Sequence, residues 1–80
     1  MALPGITQAR ADYRAAQQVT KDADEVVLNV LQAIAAKHAA HTYGLSWSER
    51  EQLRIVTEAL TLAEAEQRRL GDLVNFMEET

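Results

Sequence analysis

The sequence predicts an all-α protein, an antiparallel helical hairpin of two long helices that dimerises into a four-helix bundle. Three observations lead there. Breakers are scarce, with 3 Gly and 1 Pro in 80 residues, and none lies between Gly5 and Gly44. Ala, Leu, Glu, Gln and Arg dominate, and all are good helix formers. Apolar residues recur with helical rather than strand periodicity along two stretches separated by Thr42-Tyr43-Gly44-Leu45-Ser46. A single helical domain over residues 1–80 follows, with a helix over about 6–42, a turn over about 43–46 and a second helix over about 47–78.

Pro4-Gly5 precedes the first periodic segment. At about 100° per residue, Ile6, Ala9, Tyr13, Ala16, Val19, Ala23, Val26, Val27, Val30, Leu31 and Ile34 share one broad arc. Asp22, Glu25, Asn29 and Gln32 occupy the other. The phase holds to about His41, which favours one uninterrupted helix. An alternative breaks it near Thr20-Lys21-Asp22, where Asp22 and Glu25 match a capping box, and gives a monomeric three-helix bundle.

The second segment opens with Ser46-Trp47-Ser48-Glu49, an N-cap serine followed three residues later by Glu. Ser48 with Glu51 offers the same chemistry two residues on. Leu53, Ile55, Val56, Ala59, Leu60, Leu62, Ala63, Leu70, Leu73, Val74 and Met77 keep one phase to the end of the chain. That continuity places Gly71 inside the helix. The alternative makes it a C-cap behind Arg68-Arg69.

A short turn makes the two helices antiparallel neighbours, so facing residue numbers sum to about 87. Val27 then faces Leu60, Leu31 faces Val56, Tyr13 lies near Val74, and Ala16 lies near Gly71, where two small residues allow close approach. Ala9, Ala16 and Ala23 form a seven-residue small seam continued by Val30. The apolar arcs span about 160° or more, wider than one partner helix covers. Two hairpins packed as a four-helix homodimer would cover them. A different protein on the same face is the other solution.

The same composition bounds function. Eight Lys+Arg against 12 Asp+Glu give a net charge of −4, which disfavours a nucleic-acid binder. Residues 1–42 carry 4 basic and 4 acidic groups, whereas 43–80 carry 4 and 8. Arg50, Arg54, Arg68 and Arg69 are interleaved with Glu51, Glu58, Glu64 and Asp72. Their i, i+4 pairs (Arg54 with Glu58, Glu64 with Arg68, Arg68 with Asp72) describe a solvated face. With no Cys, disulfides and cysteine-ligated zinc are impossible. No apolar run approaches the length of a membrane span. Met1–Gly5 lacks a basic n-region and an apolar h-region, so no signal peptide is expected and a cytoplasmic protein is the default.

His38 and His41, spaced i, i+3, are the weak candidates for metal ligands, with Glu49 across the turn as a further carboxylate. Two such ligands do not fill a tetrahedral site, so no cofactor is expected. Ser46 and Ser48 lie near these histidines, yet both are accounted for as caps, and no phosphate-binding glycine loop is present. An enzyme is not expected. The expected function is a non-enzymatic protein–protein interaction module, an adaptor, chaperone-like partner or inhibitor, binding itself and another protein. Its candidate contact residues are Tyr43, Trp47, Leu28, Leu31, Leu62, Leu73, Phe76 and Met77. Tyr43 and Trp47 alternatively plug the bundle end. Small acidic helical chains of this kind include phage-encoded inhibitors and secretion-system partners, an association by size and class. A metal-binding bundle using His38 and His41 is the alternative, and a nucleic-acid-binding regulator is the second.

Overall fold

The computed structural model describes residues 4–39 and 44–79. Two helices account for nearly all of them: α1, Ile6–His38, and α2, Trp47–Glu79. They pack side by side as an antiparallel hairpin measuring 60 × 16 × 14 Å. At about 1.5 Å per residue each 33-residue helix runs roughly 50 Å, so the molecule is one helix long and two helices wide.

α1 starts after Gly5, whose backbone sits at φ 88°, ψ 1°. Only glycine takes this left-handed turn without strain, and its carbonyl accepts the Ala9 N–H at 2.9 Å. The helix passes through Thr20–Asp22 without a break. The Thr20 hydroxyl donates to the Ala16 carbonyl at 3.0 Å, and Gln18 Nε2 donates to Asp22 Oδ1 at 2.8 Å. Asp22 is therefore engaged one turn back along the same helix rather than capping a new one, and the three-helix arrangement does not form. The last turn tightens, with the Ala39 N–H reaching the Ala36 carbonyl at 3.4 Å. α1 is described to His38, with Ala39 as its cap residue, and residues 40–43, into which periodicity carries the helix, lie outside the described set.

The start of α2 settles which serine caps it. Ser46 Oγ accepts the Glu49 N–H at 3.1 Å, and Glu49 Oε1 accepts the Ser46 N–H at 2.9 Å. This reciprocal box satisfies two orphan donors at the helix entry. The helix then continues through Gly71 to Glu79. The reason a glycine is placed there differs from the expected Ala16 pairing: the Tyr13 ring occupies the space. A Cβ at position 71 would lie 3.0 Å from Tyr13 Cε2 and 3.4 Å from Cζ. Tyr13 is long enough to reach a full turn beyond its backbone neighbour, which register alone does not reveal.

The register itself is close to the expected one. His38 meets Glu49 at the turn end and Arg10 meets Glu78 at the far end, at 2.8 and 2.9 Å. Between them the core is thin. Ala9, Ala16, Leu70 and Val74 are its buried apolar residues, and no large side chain among the described residues is fully buried. All four lie in the half of the hairpin away from the turn. In the turn half, Val27, Val30, Ile34, Leu53, Val56 and Leu60 are only half-buried.

Candidate functional site

Two features stand out on this hairpin: a polar junction at the turn and an apolar side along its middle. At the junction, the last residue of α1 and the third residue of α2 meet. His38 Nε2 lies 3.0 and 2.8 Å from the two carboxylate oxygens of Glu49. Glu49 is buried, only 7% exposed, yet fully partnered. Its pKa is lowered to about 2, chiefly by the Ser46 backbone N–H and next by the His38 hydrogen bond, which together outweigh desolvation. At neutral pH Glu49 is therefore an acceptor only, so His38 Nε2 carries the proton and donates.

One carboxylate thus serves both as cap for α2 and as anchor for the end of α1. That role occupies the His38 nitrogen and the Glu49 oxygens that metal ligation would need. Among the described residues, no group of three or more His, Asp or Glu could hold a metal ion. His41 and Tyr43 lie outside the described residues, so the i, i+3 histidine pair and the turn aromatic pair are not both placed. Trp47, the first residue of α2, is 78% exposed and points away from the hairpin seam.

The apolar side is built from both helices. Tyr13 contacts Gly71, which fixes one broad side of the hairpin. Leu31, five turns after Tyr13, shares that side, with Leu28 at its outer edge. Given the hand of the helices, the opposite side carries Val19 and Val26 from α1 beside Ile55, Leu62 and Leu73 from α2. These five are large and substantially exposed, with Val19 at 57%, Ile55 at 54% and Leu62 at 70%. Phe76 is exposed at the outer margin of the same side. Met77 turns inward instead, half-buried, its methyl group 3.8 Å from the position a Cβ would take at Gly5.

The candidate contact residues therefore divide: Leu62, Leu73 and Phe76 belong to one side, Leu28 and Leu31 to the other, and Trp47 to the outer ridge. Val19, Val26 and Ile55, which lie on the broad apolar arcs but are not among the candidate contact residues, complete the first side. Their heptad-like spacing, seven residues between Val19 and Val26 and between Ile55 and Leu62, was the signal for them.

Polar pairs line the outer ridge of α2, and one of them, Arg69 with Glu66, lies on the same side as Leu62 and Leu73. Arg54 bridges Glu51 and Glu58, reaching Glu58 at 3.0 Å, and Arg69 Nε donates to Glu66 at 2.9 Å. These contacts hold the Glu51 and Glu66 carboxyls below their ordinary range. Two of the bridges run i, i+3. The expected pairs around Arg68 do not close among the described residues. No described helix is long and apolar enough to cross a membrane. Comparison with known proteins found no matching family model, no similar curated protein and no similar solved structure.

Proposed function

We propose that the protein is a non-enzymatic helical interaction module that binds protein through the side formed by Val19, Val26, Ile55, Leu62 and Leu73. The observation that carries this reading is the exposure of five large aliphatic side chains from two helices on one side, around the Glu66–Arg69 ion pair. Soluble proteins seldom leave such a patch open, because each apolar Å² returned to water costs about 25 cal/mol. The rigid polar junction at His38, Glu49 and Ser46 supports the reading too, because it fixes the two helix ends and so presents the side as one surface.

A photoreactive side chain placed at Leu62 should yield protein adducts under native conditions. The same group at Gln32, on the exposed arc of α1, should yield few. Equal labelling from both positions would overturn the assignment. Adducts from Leu62 that disappear in the Val26→Glu background would place both helices in one surface.

A further inference from the structure

We infer that this side is covered by a second copy of the chain, packed across a two-fold axis perpendicular to the hairpin's length, so that α1 runs antiparallel to α1 and α2 to α2. The assignment rests on the reading of that side as a binding surface and names its occupant. Surface area supports this occupant. A compact monomer of 8.9 kDa exposes roughly 4,800 Å², whereas this hairpin exposes 6020 Å². The excess, about 1,200 Å² per chain, corresponds to an interface of about 2,400 Å² in total, within the range of obligate homodimers.

Complementarity under that symmetry supports it as well. Asp12 and Lys37 lie on the same side of α1 as Val19 and Val26, near its opposite ends. Neither forms an ion pair among the described residues. They are equidistant from the point between Asp24 and Glu25. A two-fold axis through that level sets Asp12 of one copy against Lys37 of the other, twice per dimer. The same operation sets Val19 against Val30 and Ala23 against Val26, large beside large at the flanks and small beside large at the centre. On α2 it brings Leu62 beside Ala63 of the other copy, close to the axis, and Glu66, held by Arg69 of its own chain, beside Ala59. Placing the copies parallel, with both turns at one end, brings Asp12 level with Phe76 and Lys37 level with Arg50, neither of which offers an opposite charge.

Sedimentation of the full chain at micromolar concentration, with and without an apolar fluorescent dye, tests this. The expected result is a particle of twice 8.9 kDa that binds little dye. Leu62→Glu, at a position open to solvent in the single hairpin, should weaken self-association at least about 100-fold while helix content persists. Leu28→Glu, on the other side, should leave the dimer intact. Lys37→Asp and Asp12→Lys should each weaken it roughly 3- to 10-fold, and the double exchange should restore it.

A dimer indifferent to Leu62→Glu, or one that the double exchange fails to restore, would overturn the inference. A monomer whose dye binding is lost in Leu62→Glu would overturn the second copy as occupant while the binding surface stands. A monomer that binds no dye would overturn both.

Discussion

Replacing Gly71 by Ala puts the packing of this hairpin to a quantitative test. In the interior of a helix, Gly is about 1 kcal/mol less favourable than Ala, so the exchange should stabilise an unobstructed helix by about that amount. Here the new methyl would lie 3.0 Å from Tyr13 Cε2, and Cζ and Cδ2 follow at 3.4 and 3.6 Å. The ring has to retreat by a few tenths of an ångström. Overpacking of this type costs about 1–3 kcal/mol in closed cores, and the half-buried Tyr13 edge belongs at the low end.

Gain and cost then nearly cancel, and Gly71→Ala alone should shift stability by less than about 0.5 kcal/mol. In a Tyr13→Ala background the obstruction is gone, and the same exchange should stabilise by about 1 kcal/mol, which raises Tm by about 4–8 °C for a chain of this size. Thermal melts followed by far-UV circular dichroism, at one fixed protein concentration, read the full double-mutant cycle. An equal rise in Tm in both backgrounds would refute the contact and with it the explanation of why a glycine stands at position 71.

The remaining predictions concern the junction and the core. Ser46→Ala should cost about 1 kcal/mol by removing the side-chain half of the α2 cap, measured by the same melts. Glu49 has a folded pKa depressed to about 2 from 4.5, so the unfolded chain binds the extra proton between those values. Its contribution is fully present above about pH 4.5 and is lost as pH falls toward 2, and Glu49→Gln should flatten the melting profile in that window. Leu70→Ala, at a buried site, should cost about 2–5 kcal/mol in chemical denaturation, with Leu31→Ala, on an exposed flank, costing less within the hairpin itself. Added Zn²⁺ should leave Tm unchanged, because His38 Nε2 and the Glu49 carboxylate already satisfy each other.

The two helices, their antiparallel pairing and a serine cap on α2, open between Ser46 and Ser48, were legible in the sequence because each depends on local signals. Periodicity defines the faces, glycine and serine punctuate the ends, and a short turn leaves one pairing. The continuity of α1 through Thr20–Asp22 was legible only as unbroken phase. The competing capping box lost because Gln18 claims the Asp22 side chain first. The partner of Gly71 was not legible, since the reach of the Tyr13 ring is a matter of side-chain length and rotamer rather than of residue numbers.

The candidate site was half legible. Leu62, Leu73 and Phe76 were identified as contact residues, but Val19, Val26 and Ile55, at the margins of the apolar arcs, were not. Burial at an arc's margin depends on how many helices pack there, which one chain's pattern does not encode. Glu49 was read as a possible metal ligand and as a capping residue. Its double attachment to Ser46 and His38 depends on the exact approach of the two helix ends.

The side carrying Val19, Val26, Ile55, Leu62 and Leu73 is expected to be an interface and not a free surface. Methyl NMR on a sample mixed from isotopically labelled and unlabelled chains tests it directly, because only contacts between chains then give cross-peaks. Intermolecular cross-peaks are expected between Val19 and Val30 and between Leu62 and Ala63, and none from Leu28. Well-resolved methyl spectra showing no intermolecular cross-peak at any of the five side chains, with Leu62 fully accessible to a soluble paramagnet, would contradict it.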